Sequence, residues 1–130
     1  MGGLPTIRSY LGKAIQDVRN ELAAAMPERH AEFLSSCEPF FETANFLACH
    51  AGINPAHPEK RDIAEVVLGR LPSLFLDGHT LDKLVLCGHY LQSSHEPFVG
   101  KHVICLNTGC GTIGGVATAL LYPEMRFLQA

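Results

Sequence analysis

Two histidines in this chain share a local pattern. His50 lies in Cys49-His50-Ala51-Gly52 and His89 in Cys87-Gly88-His89-Tyr90, each just past a short apolar run and each near a glycine. An imidazole is close to neutral at pH 7 and offers a lone pair, so such residues suit metal binding or acid–base work. A nearby glycine lets backbone or ligand approach closely. Seven histidines are present in all. Either of these two alone reads more readily as an ordinary histidine, and the repeated context is what singles out the pair.

A second chemical feature is the run VICLNTGCGTIGGVATALL near the C-terminus. Gly109, Gly111 and Gly114 spell GxGxxG after an apolar stretch, the letters of a dinucleotide fingerprint, and GCGT resembles the first motif of S-adenosylmethionine methyltransferases. A nucleotide or S-adenosylmethionine binder through Gly109–Gly114 is therefore one reading. The fingerprint also needs a following helix, a second strand and an acid about twenty residues on. Sixteen residues follow Gly114, and Glu124 is the one acid among them. A tight glycine turn between two antiparallel strands accounts for the same letters.

These residues need elements to hold them. Ile15, Val18, Leu22 and Met26 recur at helical spacing with polar residues between, predicting an amphipathic helix that ends near Pro27. Pro27 suits the first position of a second helix, with Glu28 in its first turn and Pro39 closing it. Both helices are expected to serve packing. The stretch from Met1 to about Tyr10, with two glycines and a proline, reads as a loop. Phe46–Cys49 and Leu84–Cys87 read as buried strands emptying into loops, and Arg61–Arg70 as a helix between them. His102–Leu106, Val116–Tyr122 and Arg126–Gln129 read as further strands. The order is that of a layered α/β or α+β domain.

Composition bounds the rest. With 130 residues the length is that of one domain. Ten Lys and Arg against thirteen Asp and Glu give a net charge of −3, which excludes a generic basic nucleic-acid clamp. At 47% hydrophobic and 18% charged residues, the chain is not of disordered composition. No apolar run reaches the roughly 18 residues of a membrane span, and no signal-type segment opens the chain, so a cytoplasmic, non-membrane protein is expected. The cysteines at 37, 49, 87, 105 and 110 form no CxxC pair and are odd in number, which argues against a zinc knuckle and a disulfide framework. Cys87 and Cys105, inside apolar runs, read as small core residues.

Five segments together resemble the bacterial serine/threonine phosphoprotein phosphatases among the calcineurin-like metallophosphoesterases. GGLPTIRSYLG is similar to that family's GGxxTxxSYG segment, and MPERHAEFLSS to its xLPxxHxxFL helix. NFLACHAGINP is similar to FVHAGIxP, and VLCGHYLQS to VxGHTP. ICLNTGCGTIGGVATALLYPEMRFLQA is similar to the closing LDTGxxxGGxLTALxL strands. The resemblance implies a β-sandwich flanked by helices. It also implies a centre of two metal ions (manganese, iron or zinc) whose bridging hydroxide attacks a phosphate monoester. His50 then resembles the histidine ligand of one metal and His89 that of the other. Arg70 would correspond to the substrate-phosphate arginine of the family's WIR segment, written LGR here. Its planar fork suits phosphate oxygens.

The departures from the family shape the expectation. GDxHG, GDxxDRG and GNHE, which carry the family's other ligands, do not occur in the sequence. Tyr90 stands where the family has Thr, and Asn107 where it usually has Asp. A manganese ion typically takes about five or six N and O ligands, and two histidines serving two metals leave each with one. The expectation is therefore the C-terminal part of a metallophosphoesterase domain, a partial β-sandwich inactive on its own. Its substrate by resemblance is a phosphoprotein or small phosphate ester, with no nucleic-acid partner. An exposed sheet edge would favour association. A stand-alone pseudophosphatase or interaction module is the alternative.

Overall fold

The computed structural model describes residues 3–12 and 18–130. The chain divides into two compact units, Met1–Cys37 and Glu38–Ala130. The first carries three short helices, α1 (Gly3–Leu11), α2 (Val18–Ala25) and α3 (Glu28–Ser36). Helix α1 overturns the predicted N-terminal loop. Its Pro5 lies in the first turn, where a missing N–H costs nothing and the fixed φ favours the helix. Ile15 of the amphipathic helix predicted before Pro27 lies outside the described residues. Pro27 is one position earlier than expected, at the N-cap of α3 with φ −56° and ψ 138°. Its carbonyl accepts from the amides of His30 (2.8 Å) and Ala31 (3.3 Å).

No described residue of α1, α2 or α3 is buried. Phe33 and Leu34 of α3 are 68% and 58% exposed. The ties within this unit are polar as well as apolar. The Tyr10 hydroxyl and His30 Nδ1 are 2.7 Å apart, with the two rings edge-on at 5.8 Å. Helices of eight or nine residues are marginal in isolation, because nucleation is costly and few bonds follow it.

The second unit is built on a five-stranded mixed sheet. Its strands are β1 (Phe40–Glu42), β2 (Phe46–Cys49), β3 (Leu84–Cys87), β4 (Phe98–Val99) and β5 (Val103–Cys105), in the order β1-β2-β3-β5-β4. The central three run parallel, and β1 and β4 flank them antiparallel. A parallel pair needs a crossover. Between β2 and β3 it is supplied by α4 (Ile63–Leu68) and a 3₁₀ turn (Pro72–Phe75). Helix α4 starts at Asp62, whose side chain accepts from the Glu65 amide at 3.0 Å. That N-cap satisfies one of the first-turn donors. Two strands, β1 and β4, have no counterpart in the sequence reading. The strands predicted at 46–49, 84–87 and 102–106 are present, the last as Val103–Cys105.

Register decides what each face of the sheet presents. Leu47, Val85 and Val103 are partners across β2, β3 and β5, and Cys87 and Cys105 pair two residues further on. These side chains share one face and are buried against Ile53, Val66, Leu74 and Leu81, which come from the crossover. The opposite face carries Phe46, Ala48, Leu84, Leu86 and Ile104. A hairpin of β6 (Thr118–Leu121) and β7 (Arg126–Gln129) forms a separate two-stranded sheet. It meets that second face through Tyr122, whose ring lies 4.9 Å from that of Phe46, edge-on.

The glycine run lies between β5 and β6. The expectation of a turn joining two antiparallel strands is corrected, since β5 and β6 belong to different sheets. Gly109, Gly111 and Gly114 all have positive φ, at 89°, 84° and 77°. The left-handed backbone lets the chain fold back in successive turns, with Thr112 N bonding Gly109 O and Gly115 N bonding Thr112 O. The next element is strand β6. A helix whose N-terminal amides could take a pyrophosphate is absent from the described residues after Gly114. No helix among the described residues is long and apolar enough to cross a membrane.

Candidate functional site

His50 directly follows β2, and His89 follows β3 by one residue past Cys87. Because β2 and β3 are adjacent and parallel, their C-terminal ends lie side by side. Parallel sheets present their ligand-binding loops at this end. The loops are stitched together by one acceptor: the carbonyl of His50 takes hydrogen bonds from the amides of Gly88 (3.0 Å) and His89 (2.9 Å). An ideal Cβ on Gly88 would stand 4.0 Å from His50 Nδ1, so this glycine packs beside the ring.

The two imidazoles consequently meet. His89 Nδ1 and His50 Nε2 are 3.0 Å apart, with ring centres at 4.9 Å and planes at 77°. One ring donates an N–H to the lone pair of the other. His50 is exposed and His89 half-buried. His50 borders a groove of about 630 Å³ walled by Pro39, Phe41, Ala48, Leu86, Leu106 and Leu120. The site is thus an imidazole pair, exposed at His50, beside an apolar channel along the second face of the sheet.

Tyr90 anchors this arrangement from behind. Its hydroxyl accepts from the Leu71 amide at 2.7 Å and donates toward the carbonyls of Ala51 (3.0 Å) and Gly69 (3.4 Å). Three peptide groups, one beside His50 and two flanking Arg70, therefore converge on one phenol. Its ring packs edge-on against His89 at 5.3 Å and Phe75 at 4.7 Å. Burial pushes the Tyr90 pKa up, opposed by the hydrogen bond from Leu71. The phenol is a neutral structural bridge, which a threonine side chain is too short to form.

Arg70 is exposed. It lines a polar cleft of about 620 Å³ with Asn54, His57, Lys60 and Glu65. No hydrogen bond or ion pair to its guanidinium is formed among the described residues. The histidines thus come together, while Arg70 borders a second cleft, linked to them through Tyr90. Asn107 stays in the backbone framework. Its side chain accepts from the Gly109 amide at 3.3 Å, and its carbonyl accepts from Gln92 N at 2.8 Å.

The donors available to a metal are the two imidazoles. Among the described residues, no group of three or more His, Cys, Asp or Glu is gathered around one point. Imidazole nitrogen is the right ligand type for iron or zinc, whereas manganese favours carboxylate oxygens. A set of two protein donors at this position leaves the rest of a coordination sphere to ligands from elsewhere. The cysteines do not extend it. Cys49 lies one step past the Ala48–Leu86 pair and continues the Cys87–Cys105 row along the core face. All five cysteines are free thiols. The Cys87 thiol is pushed well up, first by its hydrogen bond to Cys105 and then by burial, as suits the core role read from the sequence.

Sequence reasoning missed the Tyr90 bridge and a carboxylate centre at the sheet edge. Glu42 of β1 receives Arg61 Nη2 at 2.8 Å and Lys83 Nζ at 2.9 Å. Neither has a local sequence signal, because their partners are 19 to 41 residues away. Compared with known proteins, the chain matches no family model and no curated protein.

Proposed function

We propose that this chain carries the histidine-bearing strands of a metal-dependent serine/threonine phosphatase of the calcineurin-like type. The two sheets of the second unit would be part of that fold's β-sandwich. The observation that supports the reading is the 3.0 Å approach of His50 Nε2 to His89 Nδ1 at the ends of adjacent parallel strands. A pair of divalent ions, manganese, iron or zinc, would supply the positive charge that the transition state of phosphate monoester hydrolysis needs.

The chain's own residues have distinct tasks in this reading. His50 and His89 would each offer one ring nitrogen as a ligand, with the proton of the neutral imidazole carried on the other nitrogen. Arg70 offers a guanidinium fork to the phosphate oxygens of a phosphoprotein or small phosphate ester. Tyr90 holds the peptides beside both. Two imidazoles do not hold two ions, so the carboxylate ligands would come from a segment bearing GDxHG, GDxxDRG and GNHE. The chain alone is expected to be inactive.

Phosphate release from p-nitrophenyl phosphate and from a phosphopeptide, with added Mn²⁺, tests this directly. The 130 residues alone should release little or none. Joined to such a segment, they should gain activity that His50→Ala and His89→Ala each abolish. A completed chain that stays inert and binds no metal would overturn the proposal.

A second reading has its own support. Phe33, Leu34 and Phe41 are large, apolar and mostly exposed, as an interaction module would have them. In that reading the chain is a stand-alone pseudophosphatase that uses its surface. Light scattering with circular dichroism separates the two. A cooperatively folded, monodisperse chain supports the module, and a molten or aggregating one excludes it.

A further inference from the structure

A second pair of histidines lies apart from the first. His79 sits in the loop before β3, and His102 directly precedes β5. Though distant in the chain, their ring centres are 5.9 Å apart with planes at 45°. Both line a cleft of about 350 Å³, together with Phe75, Asp77, Phe98 and Lys101.

The hydrogen bonding of these rings is incomplete in an informative way. His79 Nε2 is 3.0 Å from the carbonyl oxygen of Leu74, at the end of the 3₁₀ turn. A carbonyl only accepts, so Nε2 carries the proton, and in the neutral ring Nδ1 holds the lone pair. That Nδ1 is buried and has no hydrogen-bond partner among the described residues; the same holds for His102 Nε2. Buried polar atoms are nearly always satisfied, and leaving one bare is costly. Both residues border the cleft, and each leaves one such buried nitrogen without a partner.

The geometry points to a divalent transition cation of the zinc or copper type, bound between His79 Nδ1 and His102 Nε2. A histidine that donates one N–H to a backbone carbonyl is set to ligate with its other nitrogen. Ring nitrogens lie about 1.1 Å from the ring centre and about 2.1 Å from zinc, so two rings sharing an ion have centres up to about 6.4 Å apart. The observed 5.9 Å falls within that reach. Asp77 on the cleft wall favours a cation, while Lys101 opposes it. With no third protein donor gathered there among the described residues, the remaining positions are open to water or to a small ligand. A phosphate or other anion would instead need both rings protonated. This site is independent of the phosphatase reading, since it shares no residue with His50 and His89.

The test is a titration of the full chain with ZnCl₂, followed through the imidazole ¹⁵N resonances assigned by His→Gln variants. His79 Nδ1 and His102 Nε2 should shift together and saturate on one isotherm. His79→Gln and His102→Gln should each weaken that isotherm at least ten-fold, and His50→Gln should leave it in place. Rings that ignore zinc, a shift confined to one of them, or a response to inorganic phosphate in place of zinc would each overturn the proposal. If a variant fails to fold, the wild-type resonances still decide, because they report on each nitrogen separately.

Discussion

The hydroxyl of Tyr90 accepts a hydrogen bond from the amide of Leu71 at 2.7 Å, joining the loop after β3 to the segment that follows α4. The same oxygen donates toward Ala51 O, so the residues flanking His50, His89 and Arg70 are all referred to one phenol. Removing it leaves the Leu71 N–H without its partner. Tyr90→Phe is expected to cost about 1–2 kcal/mol of stability, the usual penalty for a partly buried donor left bare. Urea unfolding of the two proteins measures it. An unchanged midpoint would show that water replaces the phenol at no cost.

Gly52 offers a steric counterpart. Its φ is +91°, and a Cβ there would collide with Cδ2 of the fully buried Leu74. Gly52→Ala combines left-handed strain with overpacking of the core, and about 2–4 kcal/mol is expected. The substitution lies close to His50 in the chain, so the His50–His89 contact should loosen as well. Chemical denaturation reads the first effect, and the ring proton resonances of the two histidines read the second.

The Glu42 centre makes stability depend on pH. Hydrogen bonds from Arg61, then Lys83, hold its carboxyl at about 2, against an ordinary value of 4.5. A depressed folded-state pKa stabilises the protein above the unfolded value. The contribution fades as pH falls from about 4.5 toward 2. Glu42 keeps 26% of its side-chain exposure, so solvent screening limits the gain to about 1–2 kcal/mol. Glu42→Gln should therefore be less stable than wild type at pH 7 and nearly equal to it near pH 2. A gap that persists in acid would point to packing in place of charge.

Thiol reactivity should follow exposure. Cys37 and Cys110 are exposed, Cys49 is half-buried, and Cys87 and Cys105 are buried. Ellman's reagent should titrate two thiols quickly and a third slowly under native conditions. Burial raises the Cys49 pKa and so lowers its thiolate fraction. The last two thiols should react only as the sheet unfolds. Rapid reaction of all five would mean that the β3–β5 core opens easily.

The central sheet is legible in the sequence because its strands are short apolar runs bounded by turn residues. Phe46–Cys49, Leu84–Cys87 and Arg126–Gln129 coincide with β2, β3 and β7. The N-terminus is misleading, where two glycines and a proline suggest a loop, although a proline in the first turn is compatible with α1. Nothing local signals β1 and β4, which are two or three residues long and owe their form to pairing with neighbours. The glycine run does encode turns. Its hairpin letters do not say which sheet the next strand joins, and β6 joins a different one from β5.

What the residues settle unaided is therefore local. A strand followed by a histidine and a glycine can be read twice in the chain, and the cysteines at 87 and 105 can be placed in a core. Tertiary structure alone decided which side chains meet. Parallel pairing of β2 with β3 sets His50 against His89 across 39 positions, and of β3 with β5 brings the segments bearing His79 and His102 together. The physical reason is that spacing along a chain encodes the periodicity of one element. The crossover between parallel strands has no fixed length, so no local pattern records which strand ends become neighbours.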